Sequence, residues 1–245
     1  MSNNTYAPFI GSGRIWARKA GTNDAMIEIG NCSKVEIQVK DKKIDLQDFT
    51  KAGGGKYAQI VRIDSAMISL NVHDLTDRNI RMGIFGSDSI IANGTVTDEV
   101  VRCYKGALAP IKHLSPVITS VKSSDGLTTY AADTDYQAHA GGLLITSDST
   151  IPDATDVKVT YTYAGHSKIE AMTNASIILQ MRFVGVNEAD GKSVMVDIHR
   201  AQLSATKALS LISDKFAELA LDAEILKDPA KTGDGISQFF VLQMG

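Results

Sequence analysis

Alternation of apolar and polar positions is the dominant pattern along this chain. The segments 34–40, 65–73 and 193–199 each alternate apolar side chains with polar ones. A period of two is typical of a β-strand with one buried face and one face in water. Such strands usually belong to antiparallel sheets, because parallel strands covered on both faces are apolar throughout. The pattern predicts a mainly β protein, with the more apolar segment 176–186 as a central strand.

One short α-helix is predicted near residue 80. Thr76 is a suitable N-cap, and Asp77 would lie in the first helical turn. Gly86 is expected just past the end of this helix, since glycine adopts the backbone conformation that often ends one.

The stretch 207–227 fits two periods. Its first half, 207–217, carries apolar residues at helical spacing and is left open between helix and strand. Its second half alternates around Leu219 and Leu221, which favours a strand. The glycine-flanked segment 235–243 is predicted to be a further strand.

Residues 106–165 differ from both flanks. Short apolar runs alternate there with loops rich in Asp, Ser, Thr and Gly, and residues 124–126 form a hairpin-type turn signal. We predict a small inserted β module at 106–165, within a larger β domain made of residues 1–105 and 166–245.

Residues 40–56 form a long polar connection between two strands. The segment is mixed in charge and contains three consecutive glycines, Gly53 to Gly55. A loop of this length inside a compact domain is usually functional or disordered. The glycines predict mobility in the isolated chain.

Composition excludes several classes of protein. The 245 residues carry 25 Lys and Arg against 28 Asp and Glu, a formal net charge of -3. That argues against a protein that grips nucleic-acid phosphates over its whole surface. The chain has no run of 18 apolar residues, so no membrane span is predicted. Residues 1–13 lack the pattern of a secretory signal. Two distant cysteines, Cys32 and Cys103, exclude a disulfide scaffold.

No catalytic or metal-binding motif emerges from the residues. The five histidines show no metal-ligand spacing, and His199 is expected on the exposed face of its strand. Asp133 and Asp135 could touch a cation, but two aspartates in a turn are usually turn residues. We therefore predict that the protein is not an enzyme and has no cofactor or metal.

The order of these elements resembles a known family. Strands at 13–20, 26–31 and 33–39 precede the polar loop, and the strand 65–73 runs directly into the segment 74–86, Asp-Leu-Thr-Asp-Arg-Asn-Ile-Arg-Met-Gly-Ile-Phe-Gly. This arrangement is similar to the tail tube (major tail) proteins of long-tailed bacteriophages, of siphophage or myophage type. The likeness extends over nearly the whole chain, through the modules 128–163 and 218–228.

The resemblance implies a tail-tube β-sandwich or barrel with one short α-helix and an inserted β module that faces outward. Six copies would form a ring, and stacked rings would form the hollow tube that conducts DNA into the host. With about four strands per copy, the wall would be a barrel of about 24 strands, roughly 45–50 Å across.

The implied partners follow from that role. They are other copies of the chain, the tape measure protein in the lumen during assembly, the tail terminator and distal tail proteins at the tube ends, and a sheath protein if the tail has one. Phage DNA would pass without specific binding, and no membrane insertion is implied. The protein would lie in the host cytoplasm before assembly and in the virion tail afterwards.

Two surfaces are predicted within this scheme. The polar loop is the expected contact between rings, because it is long, mixed in charge and able to order on contact. Its residues are Asp41, Lys42, Lys43, Asp45, Asp48, Lys51, Gly53, Gly54, Gly55 and Lys56. The lumen-facing candidates on polar strand faces are Glu36, Gln38, Ser69, Asn71 and Asp197.

Two other functions compete with this interpretation. A β-sandwich binding module, for instance for glycans, would need clustered exposed aromatic side chains, but aromatics make up 6% of the chain and Trp16 is the one tryptophan. A hydrolase on a β scaffold would need a nucleophile and base, and no such motif is present, although triads are often scattered in sequence.

Overall fold

The structure, a computed structural model, describes residues 8–245 and is mainly β, with 53% of the chain in strands and 3% in helix. The predicted mainly β class is confirmed. The chain divides into two compact units, the first made of residues 8–87 and 169–245 and the second of Asp88–Lys168.

The first unit is built on one eight-stranded sheet and a short helix. Its elements are β1 (Gly11–Lys19), β2 (Ile27–Glu28), β3 (Cys32–Gln47), β4 (Lys56–Val72), α1 (Asp77–Gly83), β14 (Ile178–Asn187), β15 (Ser193–Leu203), β16 (Leu219–Ile225) and β17 (Phe240–Met244). The strand order is β2-β1-β14-β15-β16-β4-β3, and β17 also pairs with β15. All of these pairs are antiparallel.

One face of this sheet forms the core of the first unit. Alternate residues of β14, β15 and β16 and of residues 66–72 of β4 point into it, as the period of two requires. The largest fully buried side chains of this core are Ile15, Ile29, Ile68, Leu70, Met181, Ile198, Leu219 and Leu221. The opposite face carries the polar side chains of the same strands.

The predicted helix is present as α1. Thr76 is its N-cap and accepts a hydrogen bond from the backbone N–H of Asn79, as its sequence position indicated. The helix ends at Gly83, two residues earlier than expected. Asn79 is buried and donates to the carbonyls of Ile29 and Asp74 at 2.6 and 2.7 Å, which joins the helix to the segment after β2 and to the one after β4.

The two halves of the ambiguous stretch differ. Its second half is the strand β16, as predicted, and β16 pairs with β4. Residues 204–218 are neither helix nor strand, and three of their apolar side chains are almost fully exposed: Leu211, Ile212 and Phe216. The predicted strand 235–243 is shorter than expected, since β17 begins at Phe240.

The second unit contains the remaining strands. They are β5 (Ser87–Ile91), β6 (Gly94–Cys103), β7 (Leu108–Pro110), β8 (Val117–Ser123), β9 (Thr129–Tyr130), β10 (Tyr136–His139), β11 (Gly142–Ile145), β12 (Thr155–Tyr163) and β13 (His166–Glu170), of which β5 and β13 pair where the chain enters and leaves the unit. Sheets in the orders β6-β12-β8-β9 and β10-β11-β7 enclose a separate core around Tyr161.

The inserted unit is larger than the predicted 106–165. It begins at Asp88, because β6 pairs with β12 along most of its length and so belongs to the same sheet. Sequence patterning did not show this, since β6 alternates like the strands of the first unit and its partner lies more than 50 residues away.

Candidate functional site

The predicted loop at 40–56 is a β-hairpin over most of its length. Residues 41–47 of β3 pair with residues 56–63 of β4, and the connecting loop is reduced to residues 48–55. The physical reason is that alternation continues past Lys40: Ile44 and Leu46 stand between charged and polar residues. We call residues 40–64 the hairpin arm. Every residue of this arm except Asp48 is exposed.

Apolar side chains lie on both faces of the hairpin arm. Side chains directly opposite in an antiparallel pair share a face. Ile44 lies opposite Ile60, and the two are 44% and 55% exposed. On the other face, Val61 and Ile63 are 56% and 68% exposed. The hairpin arm therefore exposes apolar side chains to solvent on both of its faces.

The same arm carries cross-strand charges. Lys42 lies opposite Arg62, and like charges in this position repel each other. Neither side chain forms a salt bridge within residues 8–245. By contrast, Lys56 Nζ lies 2.9 Å from a carboxylate oxygen of Asp45. The Lys42–Arg62 pair leaves one end of the Ile44 face with uncompensated positive charge.

A compact turn closes the arm. The Asp48 carboxylate accepts hydrogen bonds from the Thr50 hydroxyl and the Thr50 backbone N–H at 2.5 and 2.8 Å, and these bonds lower the pKa of Asp48. Gly53, Gly54 and Gly55 all have positive φ, of 107°, 64° and 145°. The glycines thus serve the turn geometry.

The ten predicted contact residues all fall in this arm. Asp41, Lys42, Lys43 and Asp45 lie on β3, Lys56 begins β4, and the closing turn holds Asp48, Lys51, Gly53, Gly54 and Gly55.

Four of the five predicted lumen residues lie together. Glu36 pairs with Ser69 across β3 and β4, and Gln38 and Asn71 occupy the same face two residues away on each strand. Gln38 Nε2 donates to Glu36 at 3.1 Å. Hydrogen bonds from the Lys34 and Gln38 side chains lower the pKa of Glu36, which holds it as a carboxylate. We call this surface, continued across β16, the polar face.

Glu218 and the strand β16 that follows it add acidic groups to the polar face that were not among the predicted residues. Ser69 donates to Asp222 at 2.7 Å, and Asn71 Nδ2 donates to Glu218 at 3.3 Å. Glu224 continues the row, opposite Met67. The alternation of β16 was visible in the sequence, but its place beside β4 depends on a pairing about 150 residues apart.

Asp197 occupies a different part of the same sheet. It lies on β15 opposite Arg182, and the two form a bidentate ion pair with N–O distances of 2.5 and 2.9 Å. The Asp197 side chain is only 17% exposed. Its charge is therefore neutralised locally, whereas Glu218 and Glu224 form no salt bridge within residues 8–245.

The aspartates considered as a cation site serve a turn. Asp135 is buried, and its carboxylate accepts hydrogen bonds from the backbone N–H groups of Ala131 and Thr150 at 2.8 and 2.7 Å. Burial alone would raise the pKa of Asp135, but these bonds lower it overall. Within residues 8–245, no group of three or more His, Cys, Asp or Glu side chains is placed to hold a metal ion.

Comparison with known proteins gives a family. A family profile described as "Protein of unknown function UCP028589" matches residues 8–243. The chain belongs to this family. The match runs through both units, so the shared sequence includes the hairpin arm and the inserted unit. No protein with a curated description matches the sequence.

The description of the family names no activity. Among residues 8–245, no helix is both long enough and apolar enough to cross a membrane.

Proposed function

We propose that this protein is a structural subunit of a bacteriophage tail tube. In this proposal six copies form a ring, rings stack into a hollow tube, and DNA passes through the lumen. The partners are the other copies, the tape measure protein during assembly, and the proteins at the tube ends. The protein has no catalytic role in this proposal, and it resides in the virion tail after assembly.

The hairpin arm is the observation that carries the proposal. Two exposed strands with Ile44, Ile60, Val61 and Ile63 in water are an aggregation hazard in a monomer, because sheet edges and apolar surface recruit other chains. Covering these side chains on assembly removes that hazard. Burial of one isoleucine side chain contributes about 1.5–3 kcal/mol, so four apolar side chains per copy support a stable contact.

A second copy fits the charge of the hairpin arm. Lys42 and Arg62, which form no salt bridge within residues 8–245, need carboxylates, and a second copy of a chain with 28 Asp and Glu against 25 Lys and Arg can supply them. The contact in this proposal is between rings, as the mixed charge of the segment predicted. Its basis is a preformed hairpin with an apolar stripe, so little ordering entropy has to be overcome on binding.

The polar face is proposed as the lumen surface. Glu36, Glu218, Asp222 and Glu224 outnumber the cations beside them, which are Lys34, Lys40 and Lys207. DNA binds where phosphates release counterions to cationic side chains, so an acidic wall lets DNA slide. The lumen of stacked rings would then repel the DNA that it guides.

Electron microscopy of the purified protein tests the proposal. We expect rings with six-fold symmetry or tubes at high protein concentration. Strictly monomeric protein at every concentration would falsify the tail-tube assignment and favour a binding module.

The lumen assignment has its own test. Tubes of the natural sequence should not retain duplex DNA in a sedimentation assay, whereas tubes of the variant Glu36→Lys, Asp222→Lys should retain it. The matched control is Glu188→Lys, a charge reversal outside the polar face. Retention of DNA by unaltered tubes at physiological salt would contradict the role of the polar face as a conduit wall.

A further inference from the structure

A cleft of about 680 Å³ opens on the first unit, at some distance in sequence from the hairpin arm. It lies among the end of β1, the beginning of β14, the middle of β15 and the turn at 228–231. The cleft is lined by four cationic side chains: Arg18, Lys19, Arg200 and Lys231. The one carboxylate among the lining residues belongs to Asp228. Clefts of this volume commonly hold small organic ligands.

A β-bulge aims two side chains at the cleft. The register of β14 and β15 shifts between Leu179 and Met181, so His199 and Arg200 together oppose Gln180. Two residues opposite one is the definition of a bulge, and bulges re-aim side chains near functional sites. Both residues of the bulge line the cleft.

The bulge leaves two polar atoms without partners. His199 is only 9% exposed, contrary to the expectation that it lies on an exposed strand face, because the bulge turns it inward. Its Nε2 atom and the Nε atom of Arg200 have no hydrogen-bond partner within residues 8–245. Buried polar atoms are almost always satisfied in native proteins, so this pair indicates a place where a bound group completes the hydrogen bonding.

The remaining cations of the cleft are also uncompensated. Arg18 is held in place by a hydrogen bond from its Nε to Gln180 Oε1 at 2.9 Å and one from Nη1 to the Asp24 carbonyl at 3.3 Å. None of the four cations forms a salt bridge within the described residues. Asp228 is engaged by its own turn, since its carboxylate accepts the Ala230 backbone N–H at 3.0 Å. The cleft therefore combines a fixed arginine, an excess of positive charge and unused buried polar atoms.

We propose that this cleft binds a small phosphate-bearing anion. A phosphate group presents several oxygens in a tetrahedral array and can accept from donors on different elements, and here Arg18 of β1, Arg200 of β15 and Lys231 of the turn at 228–231 line the same cleft. A single carboxylate is flat and would leave most of these cations unpaired. The site belongs to one copy of the chain, so this inference does not depend on tube assembly.

Isothermal titration calorimetry with pyrophosphate tests the site directly. We expect one anion per chain, with at least tenfold weaker binding by Arg18→Gln and by Lys231→Gln. The matched control is Arg14→Gln, because Arg14 lies on the same strand and face as Arg18 but does not line the cleft. Equal weakening by Arg14→Gln, or no binding by the natural sequence, would overturn the proposal.

Arg200→Met separates a binding role from a structural one. We expect this variant to keep or raise the melting temperature in the absence of anions, because it removes a buried donor without a partner. Pyrophosphate should raise the melting temperature of the natural sequence but not that of the variant. A lower melting temperature of Arg200→Met without anions, together with an unchanged response to pyrophosphate, would assign Arg200 to folding alone.

Two further titrations identify the source of the phosphate. Tighter binding of adenosine monophosphate than of inorganic phosphate would indicate that an organic group fills the rest of the cleft, and equal binding would indicate a free phosphate ion. Either result supports the proposal. Displacement of pyrophosphate by a short DNA duplex would overturn the proposal, because the cleft would then bind the phosphate backbone of a nucleic acid.

Discussion

The hairpin of β3 and β4 has two halves with the same sequence pattern and opposite surroundings. In residues 66–72, the apolar side chains of β4 pack into the core, and Ile68 and Leu70 are each 1% exposed. In the hairpin arm the alternation continues along β3 through Ile44 and Leu46, yet these side chains are 44% and 52% exposed. Alternation thus predicts a strand in both halves, whereas burial requires other strands to cover the apolar face.

The largest contrast is expected from truncating one apolar side chain in each half. Leu70→Ala leaves a cavity in the core and should lower the free energy of unfolding by about 2–5 kcal/mol. Ile60→Ala, on the hairpin arm, should change it by less than about 0.5 kcal/mol in the monomer. Urea unfolding followed by the fluorescence of Trp16, the one tryptophan of the chain, reports on the first unit.

A loss above about 2 kcal/mol for Ile60→Ala would show that the hairpin arm is covered within one chain, since truncation costs that much where the side chain is buried. It would remove the main support for an assembly contact.

The second contrast concerns assembly. Ile60→Lys should raise the protein concentration needed for tube formation by at least about tenfold, because it places a charge in a contact that buries apolar surface. Its effect on unfolding of the monomer should be small. Negative-stain electron microscopy over a concentration series measures the threshold.

Gln137→Lys is the matched control for this substitution. It adds the same charge at an exposed polar position of β10, in the inserted unit and outside the hairpin arm. Equal thresholds for the two variants would show that the added charge, and not the hairpin arm, accounts for the loss of assembly.

A smaller effect is expected at the tip of the hairpin arm. Gly54 has φ of 64°, and a methyl group added there would meet no other atom within 4 Å, so Gly54→Ala is opposed by backbone conformation alone. The left-handed conformation costs an L-residue about 1–2 kcal/mol. Exchange of the Asp48 amide hydrogen, bonded to the Gly55 carbonyl at 2.6 Å, should become at least about fivefold faster.

Lys51→Ala is the control for the tip, since Lys51 has no positive φ. Unchanged exchange in Gly54→Ala would show that the turn does not depend on this glycine.

The smallest expected effect is on how the free energy of unfolding depends on pH in the acid range. The pKa of Glu36 is lowered by the Lys34 and Gln38 side chains, so its contribution to stability is present above the unfolded-state pKa and disappears as pH falls through the lowered one. Glu36→Gln should therefore flatten the decline of unfolding free energy below about pH 4.5. The pKa of Asp48 is lowered as well, by Thr50, but Asp48→Asn should alter only local exchange in the arm.

Urea titrations of Trp16 fluorescence at several pH values distinguish the two carboxylates. An equal effect of Asp48→Asn on global unfolding would contradict the separation between the core-backed half and the hairpin arm.

Local features of this fold could be predicted from the sequence. The alternating strands and the Thr76 cap depend on neighbours within a few residues, and both are observed. The hairpin arm was missed because its charges and glycines outweighed the short alternation of Ile44 and Leu46. A signal for the β-bulge was present, since the apolar phase shifts between Ile198 and Ala201.

Features that depend on distant pairing could not be predicted. The polar face needs β16 beside β4, and the inserted unit needs β6 beside β12. In each case the partners are separated by more than 50 residues, and a strand with one apolar face is compatible with many neighbours. The predicted residues of the polar face lie on strands at half-buried or exposed positions, but the acidic groups beside them could be placed only from the strand order.

The pairing of β5 with β13 has a consequence for the history of the chain. Both crossings into the second unit occur at hydrogen-bonded neighbours, and the backbone there is so close that a side chain on Gly86 would clash with the Glu170 carbonyl at 2.8 Å. Because the two chain crossings are adjacent, the inserted unit can be removed or replaced without changing the distance between the ends of the first unit at this point. Recombination at the β5–β13 pair could therefore exchange one inserted domain for another while the eight-stranded sheet keeps its register.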